Sequence, residues 1–185
     1  PPAVVQTAAS LLIPAASRYL SRSRLVSGGL ALAAIGLAML IPVNTIDDLP
    51  LLVMGMTVMG IGVMPMMILG TDMVVSAAPA SKAGAASATS ETATELGMAL
   101  GIAVIGSVGA AVYRRHMMAT LPDGLDGDHA LAAVDTLGGA IGAAALLPPA
   151  LASQVMDAAR AGFNAALHTN SAIGVAIIAG TALMT

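Results

Sequence analysis

Cysteine is absent from the 185 residues, and charge is scarce at 9%. Without cysteine there can be no disulfides, thiolate zinc sites or cysteine-held iron–sulfur clusters. Only seven Lys and Arg are present, spread along the chain, and the net charge is −3. A nucleic acid partner needs a concentrated cationic face, so that class is excluded. The three histidines His116, His129 and His168 are scattered, with no His-x-x-x-His or Glu-x-x-His spacing, so neither a metal site nor a cofactor is expected. Also missing are a Gly-x-Ser-x-Gly elbow and a phosphate-binding loop, which leaves nucleophilic hydrolysis and ATP binding without support. The run Asp123-Gly124-Leu125-Asp126-Gly127-Asp128 lacks the ligand alternation and terminal Glu of a calcium loop and reads as a polar turn.

What the chain does have is apolar sequence: 57% hydrophobic residues and a mean hydropathy of +0.90. Soluble domains carry roughly 25% charged residues, so the expected class is an all-α, multi-pass membrane protein. A helix needs about 20 apolar residues to cross the hydrocarbon. Five stretches qualify, at 1–17, 25–43, 51–77, 83–113 and 163–185. The opening Pro1-Pro2 without Met, and an end at Thr185 inside an apolar run, lead to the expectation of a fragment from a longer polytopic protein. Arg18, Arg22 and Arg24 in the short loop 18–24, with Lys82 in 78–82, put those loops on the cytoplasmic side. The loop 44–50, with Asp47 and Asp48, then lies outside, as does 114–162, although Arg114 and Arg115 go against the charge rule. The first part of 114–162 carries Asp123, Asp126, Asp128 and Asp135 and should sit in water. Its second part, 136–153, is apolar but interrupted by Pro148-Pro149, so a short hairpin on the membrane surface or against the bundle is expected rather than a span. Gly97 and Gly101 have the spacing of close helix contacts.

The informative polar residues are Glu91 and Glu95. Four apart, they share a helix face one turn from each other. Counting from Ala83 places them roughly 12 and 18 Å into a hydrocarbon layer of about 30 Å. A carboxylate there costs on the order of 2.5 kcal/mol or more, so the pair should face a protein interior or a watery cavity. Two acids this close disfavour double ionisation, which suits a proton carrier. A cationic substrate in the same cavity would favour the ionised forms, so proton and cation would compete. Asp72, Ser87, Ser90, Thr94 and Met98 are candidate supporting residues of that site; the alternative is a neutral pair hydrogen-bonded to Ser, Thr or backbone for packing. Asp72 lies about 32 Å along its helix from Leu51, near the cytoplasmic boundary, where it is either a gate residue or a partner for the following helix start. The same helix carries Met54, Met56, Met59, Met64, Met66, Met67 and Met73. Flexible thioethers suit a promiscuous pocket, and equally suit plain packing.

The stretch from Ala83-Gly84-Ala85-Ala86-Ser87-Ala88-Thr89-Ser90-Glu91-Thr92-Ala93-Thr94-Glu95-Leu96-Gly97 through Gly101-Ile102-Ala103 to Gly106-Ser107 closely resembles the penultimate helix of the 14-helix drug:proton antiporters of the major facilitator superfamily. Thr71-Asp72, Ala77-Ala78-Pro79 and the basic loop at Arg18 to Arg24 are similar as well. The resemblance implies a partial bundle, about helices 10 to 14, of a multi-pass plasma-membrane transporter. Such a transporter is not an enzyme. It exports lipophilic, often cationic compounds in exchange for protons, and its amino-terminal part would be the partner of this segment. Glu91 and Glu95 match the acids that the family uses for protonation and cation recognition. The basic loop lacks the family's Gly and Asp before its arginines, so no latch role carries over. Two other classes remain open. A membrane-embedded acid hydrolase would draw its two carboxylates from facing helices, and a non-transporting assembly or sensory subunit could derive from a transporter half.

Overall fold

A computed structural model of the chain describes Thr7, Ile13 and residues 16–43, 48–122 and 124–184. The expected first span, 1–17, lies largely outside these residues. The described residues form helices and no strands: α1 (Arg22–Ala38), α2 (Leu49–Ala77), α3 (Ala83–Thr120), α4 (Gly127–Asp135), α5 (Leu137–Ala144) and α6 (Pro149–Met184), with a 3-10 turn at Ala80–Lys82. This is the all-α membrane architecture expected. By length and composition α2, the stretch Ala80–Thr120 and most of α6 are able to cross a membrane. α1, with 17 residues, is about 25 Å long. It tightens into i to i+3 bonds at its end, where the Leu40 and Ile41 amides donate to the Leu37 and Ala38 carbonyls at 3.1 Å.

Local sequence sets the helix boundaries. Ser21 is extended and its hydroxyl accepts from the Arg24 amide, so α1 begins inside the basic loop. Pro50 occupies the first turn of α2, where a missing N–H costs nothing. Ala78, which precedes Pro79, is extended (φ −90°, ψ 149°) and ends α2, because the proline ring disfavours helical backbone before it. Along α3 the hydroxyls of Thr89, Thr92, Thr94 and Ser107 each donate to the carbonyl four residues back, at 2.6 to 2.9 Å. A helix rich in Ser and Thr thereby hides its hydroxyls from an apolar surround.

The chain forms two compact units, and α3 and α6 each run through both. In the first unit (Pro1–Gly101 and Ser171–Thr185), α1 and α2 meet along a seam of small residues. A Cβ on Gly29 would meet the Gly62 carbonyl at 2.6 Å and the Pro65 ring at 2.9 Å. One on Gly36 would meet the Gly55 carbonyl at 2.8 Å, and one on Gly62 would strike the backbone of Gly29 and Ala33. The backbones touch because the side chains are missing, which is how helices gain dispersion contact where burial in lipid gives no hydrophobic drive. Val26, Leu30 and Leu69, with Ile13, close the seam at its α1 start. The glycines singled out in the sequence, Gly97 and Gly101, have nothing within 4 Å of a built Cβ. Their spacing fits a helix contact, but the contact made within the described residues uses Gly29, Gly36, Gly55 and Gly62.

The second unit (Ile102–Asn170) departs from expectation: the stretch 114–162, read as an outer loop, is mostly helical. α3 continues to Thr120, and α6 already starts at Pro149. Pro148-Pro149 opens a helix instead of interrupting a span, since Pro149 takes the first position and the Pro148 carbonyl accepts from Leu151 and Ala152. Between them α4 and α5 make a hairpin about Thr136, which ends one helix and caps the next through a 2.9 Å bond from the Gly139 amide. At 8 residues α5 is far short of a span. Tyr113 donates to the Ala133 carbonyl at 3.0 Å and so fastens α4 to α3. Around it Met117, Ala140, Val155 and Ala159 are buried.

The seam separates two neighbouring glycines sharply. Gly62→Ala places a methyl against backbone that cannot yield, and should lower stability by about 1–3 kcal/mol. Gly28→Ala, where a Cβ has open space, should raise it by up to about 1 kcal/mol through helix propensity. Thermal unfolding in lipid nanodiscs, followed by circular dichroism, checks both. In the second unit Asp126 caps α4: its carboxylate accepts from the His129 amide at 3.0 Å and contacts His129 Nδ1 at 2.6 Å. These bonds, the backbone one foremost, hold its carboxyl below the ordinary 3.8. A lowered carboxyl stabilises the fold above that ordinary value, and the effect is lost as pH falls through the lowered folded value. The protection of the 127–135 amides, taken relative to the intrinsic exchange rate at each pH, should therefore fall on acidification below about 3.8 in the parent chain and stay level in Asp126→Asn.

Candidate functional site

Glu91 and Glu95 lie in the first half of α3, along a groove between α2 and α3. The groove encloses about 330 Å³ and is lined by Met66, Met67, Gly70, Thr71 and Val74 from α2, with Ser90, Glu91, Thr94 and Glu95 from α3. On α2 the positions 67, 70, 71 and 74 fall three and four apart, so they form one helix face. Of the residues proposed to support the pair, Ser90 and Thr94 line the groove. Thr94 is already committed to the Ser90 carbonyl at 2.9 Å. Ser87 and Met98 do not line it.

Asp72 is not in the groove either. Its carboxylate lies 3.9 Å from Arg22 at the start of α1, with both side chains largely in the open. Such a pair contributes about 0–1 kcal/mol, and it joins the basic loop to the end of α2 rather than to the helix that follows. Gly70 and Val74 carry no charge and gave no signal of their own in the sequence, and Thr71 entered there only as part of the Thr71-Asp72 resemblance, not as a groove residue. The spacing from Met67 to Val74 was the available signal.

Among the described residues neither Glu91 nor Glu95 has a hydrogen bond or an ion pair. Every residue from 91 to 104 is exposed, including Leu96 at 58% and Ile102 at 70%. This part of α3 thus presents two carboxylates on one side and large apolar side chains around the rest. Chemically the groove offers two anionic groups one turn apart, two flexible thioethers, hydroxyls and no cation. It can hold protons or a positively charged ligand with an apolar body. Both acids of the groove come from one helix.

Comparison with characterised proteins bears on the whole chain. It is 34% identical to the multidrug efflux pump LfrA of Mycolicibacterium smegmatis over 182 residues, which is 98% of this chain and 36% of that protein. It is 34% identical to the methyl viologen resistance protein SmvA of Salmonella typhimurium over 108 residues, 58% of this chain and 21% of that protein. The chain thus spans about a third of the length of the first of these relatives. No family model matches it, and no solved structure does. Identity sustained over nearly the entire chain, on apolar helices long enough to cross a membrane, settles its kinship: the chain belongs with the multidrug efflux proteins of the major facilitator superfamily and corresponds to part of such a protein.

Proposed function

We propose that this chain forms part of a plasma-membrane transporter that expels lipophilic, often cationic compounds in exchange for protons, and that Glu91 and Glu95 are where proton and drug compete. The observation that carries the reading is the groove itself: two carboxylates one turn apart, facing Met66 and Met67, in a helix otherwise without charge from Ala83 to Val112. The named relatives support the substrate class, since one is a multidrug efflux pump and the other confers resistance to methyl viologen. Methyl viologen is a flat aromatic dication, and two carboxylates at helical spacing complement two positive charges.

The coupling needs no moving part beyond alternating access. With no cation in the groove, each carboxyl of the pair is free to carry a proton. A cation entering the groove favours the ionised forms, so its binding releases protons. A proton returning from the other side of the membrane weakens the hold on the cation and lets it go. Ser90 and Thr71 can hydrogen-bond either state of a carboxyl, and the methionines adapt to differing drug shapes. The remaining wall of the cavity would come from the rest of the transporter, closing over the exposed face of α3.

In the full-length transporter, Glu91→Gln should abolish proton-driven efflux of a cationic dye in inverted vesicles while leaving the protein in the membrane. In the parent protein dye affinity should fall as pH is lowered, and the Glu91→Gln, Glu95→Gln double variant should lose that dependence. Unchanged efflux and unchanged proton release in Glu91→Gln would overturn the proposal.

A further inference from the structure

The groove that holds Glu91 and Glu95 has one wall position with no side chain at all. Gly70 on α2 lines it together with Met66, Met67, Thr71 and Val74. Residue counts set its height. Gly70 lies eight residues before Ala78, where α2 ends, and Glu91 lies eight residues after Ala83, where α3 starts. Both are thus about 12 Å from the turn that joins the two helices, so Gly70 stands level with Glu91 across the groove. Met66 and Glu95, each twelve residues from the same two points, form the next level, at about 18 Å.

A glycine inside a membrane helix ordinarily marks the close approach of another helix. Gly55 and Gly62 of α2 are of that kind. A Cβ on Gly55 would meet a Leu40 methyl at 2.8 Å and the Gly36 carbonyl at 2.9 Å, and one on Gly62 would meet the Gly29 carbonyl at 2.6 Å. Gly70 is different. A Cβ there would meet only the end of Met66, Cε at 3.5 Å and Sδ at 3.7 Å, which is ordinary contact with the tip of a flexible side chain. Among the described residues no other helix comes near, so packing does not require this glycine, and helix propensity disfavours it. What the missing side chain leaves is space in the groove. Met66 and Met67 can move aside for a ligand, whereas the backbone at Gly70 cannot, so the depth of this notch is fixed.

We propose that Gly70 is a specificity-determining residue: the notch it leaves beside Glu91 seats the charged head of the cation, and its size sets how bulky that head can be. This rests on the proposed role of the groove in binding cations, to which the notch adds a limit on shape. A phosphonium or ammonium with four large substituents has its charge shielded on every side. It reaches the carboxylate only if some of that bulk is received at Gly70. A planar pyridinium carries its charge on a thin ring and approaches the carboxylate with far less need of the notch.

The test measures export of two monocations by the full-length transporter in inverted vesicles, the bulky tetraphenylphosphonium and the planar dye dimethylaminostyryl-N-methylpyridinium. The parent should export both. The ratio of kcat/KM for the planar cation to that for the bulky one should rise about ten-fold in Gly70→Ala, the worth of one methyl in a close-fitting site. It should rise further in Gly70→Leu, whose side chain fills more of the notch. Gly70→Ala should unfold no earlier than the parent on heating in nanodiscs. A parent that rejects tetraphenylphosphonium, a ratio that stays at the parent value in both variants, or earlier unfolding of Gly70→Ala, the mark of a packing glycine, would each overturn the proposal. The Glu91→Gln, Glu95→Gln variant separates the two readings. If it exports both cations like the parent, the groove's role in binding cations falls and the notch with it; if it loses both while the Gly70 ratio does not move, the notch alone falls.

Discussion

The cost of taking polar groups out of water decides what each part of this chain can do, because a helix in hydrocarbon must satisfy its own backbone and can carry charge only where protein or trapped water receives it. α3 shows both sides of that constraint. Its threonines and Ser107 turn their hydroxyls back onto the carbonyls of the preceding turn and so become nearly apolar outwardly. Glu91 and Glu95, the only two glutamates in the chain, have no such recourse. Their carboxyls reach past the backbone into a groove, and whatever fills that groove must settle their charge. The coupling proposed for the pair rests on a proton and a cation being unable to do so at once.

Two kinds of packing hold the helices together. Between α1 and α2 the contact is backbone on backbone, made possible by Gly29, Gly36, Gly55 and Gly62 and tightened by Pro65, whose ring lies against the bare Gly29. This rigid pair presents the α2 face from Met67 to Val74 to the groove. In the second unit the contact is instead alanine, valine and methionine packed around Tyr113, with the hairpin of α4 and α5 fastened by hydrogen bonds at its turn and at Ala133. The half of α3 that carries the glutamates belongs to neither kind of packing, since all of 91–104 lies open.

Much of this was legible in the sequence, because the signals were periodic or local. Apolar runs marked the long helices, Pro79 marked a helix end, and the i, i+4 spacing of Glu91 and Glu95 put both on the groove. What was not legible depended on which helix meets which. The Gly97 and Gly101 spacing is as good a contact motif as that of Gly29 and Gly36, and nothing in a single sequence says which pair finds a partner. Asp72 could be placed near a helix end, but its pairing with Arg22 depends on α1 folding back along α2. The second unit misled for a simpler reason: Asp and Gly in 123–128 and the two prolines at 148 and 149 read as breakers, whereas Asp126 caps α4 and Pro149 begins α6. The same residue types end helices and start them, and only their position relative to the apolar run distinguishes the two.

The central claim is that protons and cationic drug exchange on Glu91 and Glu95. Difference infrared spectroscopy of the full-length transporter, recorded with carbon-13-labelled glutamate and referenced to the Glu91→Gln, Glu95→Gln variant, reads the protonation of these side chains directly. On binding a cationic drug, the account expects the protonated-carboxyl band belonging to the pair to disappear and a carboxylate band to grow in its place. A difference spectrum in which the glutamate bands do not change while the drug is bound would contradict it.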